Sequence, residues 1–178
     1  MSRLPALRHR NFRNYLTGSF ISNVGTQVQS WAIAWQIYQI THSSLMVGML
    51  GLVRVGPLLL FSLVGGVVAD HADRRKVMLI TQSIMMVQAF AVFLLTYLGH
   101  VTVAWLYALV AVGSVARAFD GPSRQAMFAS LVPREVFPNA ASLNGIAWQL
   151  SDVLGPMLAG LFIAIGAHGL STCYLFNA

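Results

Sequence analysis

The chain has 178 residues, 57% hydrophobic and only 9% charged, with a mean hydropathy of +0.68, which leaves too little polar surface for a soluble globule and too much apolar surface for disorder. Its net charge of +6 comes from 11 basic residues dotted between long apolar runs rather than gathered on one face, which argues against nucleic acid as a partner. The lone cysteine, Cys173, excludes an internal disulfide framework and a four-cysteine zinc site, and what remains is an all-α integral membrane protein whose first partner is the lipid bilayer.

About 20 consecutive apolar residues cross a bilayer as a helix, because lipid offers no partner to an unpaired backbone amide. A basic amphipathic lead-in at 7–16 precedes a first span at 15–38, too long and too interrupted by polar residues for a cleaved secretory signal. A second span, 45–69, stops at the charged run from Asp70 to Lys76. The third, 77–98, turns at Gly99-His100 into the fourth, 102–119. A connector holding Pro122, Pro133 and Pro138 leads to Asn139, the expected cap of a fifth span at 140–165. Residues 170–178 open a sixth helix. The expected architecture is therefore five complete transmembrane helices and the start of another.

Orientation follows from the basic residues. Arg3, Arg8, Arg10, Arg13, Arg74, Arg75, Lys76, Arg124 and Arg134 all fall on one side of these spans, whereas the opposite connections carry His42, His100 and His168 and no Lys or Arg. By the positive-inside rule the N-terminus is cytoplasmic.

Polar side chains at membrane depth are costly unless they face protein or water. Asn23, Gln27 and Ser30 share one face of the first helix, and Asn144, Trp148, Ser151, Asp152 and Gly155 repeat the pattern on the fifth. Two uses suit such faces: hydrogen bonding between helices, or lining a wet, substrate-bearing crevice near Trp31, Trp35 and Trp148. The third helix, with Met85, Met86, Val87, Phe90, Val92, Phe93 and Leu94, carries little polarity and is expected to face lipid.

Arg54 and Asp152 both fall near the bilayer midplane at about 1.5 Å of rise per residue. A buried carboxylate without a cation takes up a proton, and a nearby guanidinium holds it ionised, so Asp152 is a candidate proton-coupling site beside Arg54, or else half of a static pair. Arg117 and Asp120 lie three residues apart near the inner end of the fourth helix, and Arg117 equally suits snorkelling to the interface. No nucleophile–base arrangement and no metal-ligand spacing stands out, so neither an enzyme nor a cofactor or metal site is expected. Gly51, Gly56 and Pro57, with Gly155, Pro156 and Gly160, would kink or thin their helices and let neighbours approach closely.

The run Gly66-Val67-Val68-Ala69-Asp70-His71-Ala72-Asp73-Arg74-Arg75-Lys76 resembles the helix 2–3 loop signature of the major facilitator superfamily. Asp73 replaces the familiar glycine before the basic pair, a change associated with the efflux branch resembling siderophore (enterobactin) exporters. Arg117-Ala118-Phe119-Asp120-Gly121 resembles the helix 4 arginine motif, and Pro122-Ser123-Arg124-Gln125-Ala126 with Leu131-Val132-Pro133-Arg134-Glu135 is similar to that branch's connector. Gly155-Pro156-Met157-Leu158-Ala159-Gly160 is close to the antiporter signature, with Ser151 and Ala159 standing where that motif has glycines.

The resemblance implies a proton-driven exporter of small molecules in the bacterial inner membrane, with Asp70 and Arg74 latching a cytoplasmic gate. It further implies an N-terminal six-helix half, so that a C-terminal half is an expected partner and the sequence an expected fragment. A non-transporting assembly module and a half-size transporter completed by oligomerisation are the competing readings.

Overall fold

The computed structural model describes residues 5–71, 73–166 and 168–178, and of the side chains at 67–71 and 74 nothing is described. A short 3-10 helix, Pro5–Arg8, leads into α1 (Arg10–Thr41), α2 (Ser44–His71), α3 (Arg74–Tyr97), α4 (Val103–Ala129), α5 (Phe137–Ala164) and the short α6 (Gly169–Asn177). The described residues contain no strand. Four helical segments are long and apolar enough to cross a membrane: Ser44–Gly66, Arg75–Tyr97, Val103–Ala129 and Phe137–Ala164. α1 has the length, at 32 residues, but carries Asn14, Asn23, Gln27, Gln29, Gln36 and Gln39 along it.

Local chemistry sets the helix ends. The Asp73 carboxylate accepts from Arg75 N at 3.0 Å and caps α3, the role that explains an aspartate at this turn. Thr102 caps α4 through Trp105 N, and His42 closes α1 in the left-handed conformation with φ 49°. Two expectations fail here. α4 continues to Ala129, taking in Pro122 and Arg124 that were expected in the connector, which shrinks to 130–136. Asn139 is not the cap of α5, because the helix already begins at Phe137; its Oδ1 instead accepts from Ala6 N at 3.2 Å. That bond fastens the N-terminal segment to an apolar cluster of Ala6, Phe12, Phe128, Val132 and Ala140 at one end of the bundle.

The main packing partners are α2 with α4, α1 with α5, α3 with α4, and α6 with both α1 and α3. Exchanging α1 for α4, α2 for α5 and α3 for α6 turns α1/α5 into α4/α2 and α1/α6 into α4/α3, and leaves α3/α6 unchanged. Such a contact pattern belongs to two three-helix repeats of opposite direction. One glycine sits at the tightest point of each equivalent pair. A Cβ on Gly65 of α2 would strike the Ala118 carbonyl of α4, and one on Gly155 of α5 would strike Gln27 of α1.

The third helix does not simply face lipid. Met86, Val87, Phe90 and Leu94 are exposed, but Val92, Ala89, Gln88 and Thr81 are buried against α4, α6 and α1. A 24-residue helix flanked on two sides turns only one stripe outward.

Replacing Gly155 with Leu is expected to destabilise the bundle by about 1–3 kcal/mol, the usual cost of overpacking. Gly160→Ala, where nothing lies within 4 Å of the added carbon, should be neutral. Thermal midpoints and the monodisperse fraction of the two purified variants check this.

Candidate functional site: a polar crevice between α1, α2, α4 and α5

α1 presents two polar stripes on different sides. One turns inward: Gln29 Nε2 donates to Gln88 Oε1 at 3.2 Å, and Asn177 Nδ2 donates to Gln29 Oε1. Two turns along, Gln36 Nε2 donates to Thr96 Oγ1 at 3.2 Å and Tyr174 OH donates to Gln36 Oε1 at 2.7 Å. These bonds tie α1 to α3 and α6 and pair amides that the hydrocarbon cannot solvate.

The second stripe, Asn23, Gln27 and Ser30, lies toward α2 and α5. Asn23 and Gln27 line a cavity of about 340 Å³ with Trp148, Ser151 and Asp152 of α5 and Arg117, Asp120 and Arg124 of α4. Ser30 lines an adjoining lobe of about 140 Å³ with Arg54 and Arg117. Thr26, Leu58, Met85 and Arg117 border both, so the two lobes form one crevice.

Within it, Asp152 Oδ1 accepts from Gln27 Nε2. Arg54 donates from Nη2 to the Ser30 carbonyl at 3.1 Å. Arg54 and Asp152 are therefore not a pair: they occupy different lobes and bind different atoms of α1. Nor does Asp120 pair with Arg117, three residues before it. The Asp120 Oδ2 accepts from Arg124 Nε at 3.0 Å, one turn further along α4, and its Oδ1 accepts from Thr81 Oγ1 at 3.0 Å. Arg124 also donates to Ser19 Oγ at 3.1 Å. Asp120–Arg124 is the single ion pair among the described residues.

Other candidates lie elsewhere. Asn144 and Trp31 line neither lobe, and Trp31 and Trp35 are exposed on the outside of α1. Gly66 lies inside α2, five residues before its end, and Arg75 and Lys76 are exposed in the first turn of α3. Asp70 and Arg74, the expected latch, have side chains outside the described residues. Gly155 seats α5 against α1 as described, whereas Pro156 and Gly160 continue α5 without touching the crevice lining.

The order of elements and this crevice belong with a known family. A family model described as transmembrane secretion effector matches residues 1–178. The chain belongs to that family of the major facilitator superfamily. Among curated relatives of this secretion-effector chain, the enterobactin exporter EntS of Shigella flexneri is 28% identical over 172 residues, covering 94% of the chain and 42% of the relative. EntS of Shigella boydii serotype 18 and of Escherichia coli O1:K1 are also 28% identical, covering 94% of the chain and 41% of their own lengths. The chain thus spans less than half the length of the curated relatives it matches. No solved structure matches it.

Sequence reasoning singled out Asn23, Gln27 and Asp152, which the fold gathers in one lobe, but missed Gln29, Gln36, Gln88, Thr96 and Tyr174. Gln29 and Gln36 were open to detection, since seven residues place them on one face, about 200° around the helix from Gln27 in the case of Gln29. Their partners on α3 and α6 carried no such signal. Thr81 was likewise invisible as a partner of Asp120, because nothing in the chain pairs positions 39 residues apart, whereas Arg124, one turn beyond Asp120, was open to detection by its i,i+4 spacing.

Asp120→Ala is expected to cost about 3 kcal/mol by leaving Arg124 without its carboxylate. Removing both charges in Asp120→Ala/Arg124→Met should restore much of that loss, as read by denaturant unfolding of the purified variants.

Proposed function

We propose that this chain forms the N-terminal helical bundle of a multi-pass inner-membrane exporter, with five complete spans and a cytoplasmic N-terminus, that moves a small molecule outward in exchange for protons. The family and the EntS relatives support export, and their greater length supports a second bundle closing the other side of the crevice. Enterobactin, the molecule named for those relatives, is the first substrate to test.

One observation carries the coupling: Asp152 opens onto the crevice beside a neutral amide, Gln27, rather than beside a cation. Counted along α5, it lies about 22 Å from one helix end and about 18 Å from the other, near mid-depth. A carboxylate so placed takes up or releases a proton without breaking an ion pair. Ionised, it accepts from Gln27 Nε2. Protonated, its hydroxyl donates to Gln27 Oε1 instead, so the amide must turn over. That exchange happens one turn from Gly155, where α1 and α5 touch backbone to side chain, and repacking there shifts one helix against the other. Proton occupancy and crevice geometry are coupled by this contact.

Asp152→Asn in the full-length protein is expected to stop ΔpH-driven export of enterobactin from exporter-deficient cells, with membrane abundance unchanged. Asp152→Glu should retain part of it. Export at the wild-type rate in the Asn variant removes Asp152 from the mechanism. Sidedness is checked separately: a cysteine at His100 should react with an impermeant thiol reagent in intact cells, and one at Lys76 should not.

A further inference from the structure

The smaller lobe is chemically unlike the larger one. Its walls include Arg54 from α2 and Arg117 from α4, and no carboxylate is among its described lining residues. Arg54 spends one donor on the Ser30 carbonyl, and Arg117 makes no hydrogen bond among the described residues. The nearest acid along α4, Asp120, has both oxygens engaged, by Arg124 and by Thr81. Gln29 and Asn177 spend their amide donors on the ladder that holds α1, α3 and α6 together. The charged donors among the described residues lining this lobe are therefore those of two guanidiniums, planar forks suited to gripping an oxyanion.

Two like charges facing one space at membrane depth are costly, and neither makes an ion pair among the described residues. The cost is relieved when an anion enters. The lobe, at about 140 Å³, admits a small head group, and through Thr26, Leu58, Met85 and Arg117 it adjoins the larger lobe of about 340 Å³ beside Trp148.

We propose that this lobe is an anion subsite, in which Arg54 and Arg117 together hold an oxyanion of the exported molecule, a carboxylate or ionised phenolate, while its apolar remainder occupies the larger lobe. The inference rests on the exporter reading and adds a substrate class to it: amphiphiles with one compact anionic group. Arg117, bordering both lobes, is the residue that joins recognition of the head group to the cavity around Asp152.

The test is equilibrium binding to the full-length protein in nanodiscs, with 1-naphthoate as the anionic probe and 1-naphthalenemethanol as its neutral counterpart. The naphthoate is expected to bind about tenfold or more tightly than the alcohol, the worth of one charge-assisted hydrogen bond. Arg54→Gln and Arg117→Gln should each remove most of that preference while leaving alcohol binding unchanged, and the double variant should lose little more than either alone, because both residues grip one group. Arg54→Lys should keep most of the preference. Equal affinities for the two probes, or a preference intact in both Gln variants, would overturn the proposal. If the Gln variants lose the alcohol as well, Arg54→Lys decides: a retained preference supports the subsite and a lost one sinks it. Chloride that competes fully with naphthoate but not with the alcohol supports the subsite as well, whereas equal competition against both overturns it. Binding is read without transport, so an absence of export fells the exporter reading alone, and a missing preference fells the subsite alone.

Discussion

A polar atom inside this bundle is costly unless another answers it, because the surrounding hydrocarbon answers none. α1 meets that constraint twice over. Its Gln29 and Gln36 are spent on α3 and α6, while Asn23, Gln27 and Ser30 are turned to the opposite side. Interhelical hydrogen bonds in bilayers average only about 0.6 kcal/mol each, so four of them add modest stability. Their larger effect is rotational. A turn of α1 about its axis would strand two buried glutamines, and with α1 locked in that rotation its other stripe has one direction left, toward the crevice.

Close contact does for α5 and α2 what hydrogen bonding does for α1. Gly155 lets α5 rest against Gln27, and Gly65 lets α2 rest against Ala118, at related places in the two halves of an inverted repeat. Packing of this kind is unforgiving in distance but permissive in sliding and tilting, since small residues carry no side chain to interlock. The Gln27–Asp152 bond then sits beside a pivot. One polar contact lies next to one glycine seat, where α1 and α5 approach most closely among their described glycines.

Charge is divided within the crevice rather than cancelled. Both oxygens of Asp120 are engaged, by Arg124 and by Thr81, and the ion pair is held on one helix. Asp152 has only an amide, and Arg54 only a backbone carbonyl. The crevice therefore holds an unpaired acid in one lobe and two unpaired bases in the other, with Arg117 on the border. Asp120 differs from these groups in having both of its oxygens engaged.

The membrane class and the order of the six α-helices are legible in the chain, because they depend on counts and runs that need no partner. The stripe of Asn23, Gln27 and Ser30 is legible for the same reason, being a periodicity along one helix. What the stripe faces is not. Arg54 and Asp152 share a depth yet end in separate lobes, because partner choice between helices depends on helix rotation and on which backbones approach. Asn139, a cap by its residue type, became a clasp for Ala6 once α5 began three residues earlier. The Gln27–Asp152 and Ala6–Asn139 bonds join segments more than a hundred residues apart, and only the folded bundle brings such segments within hydrogen-bonding distance.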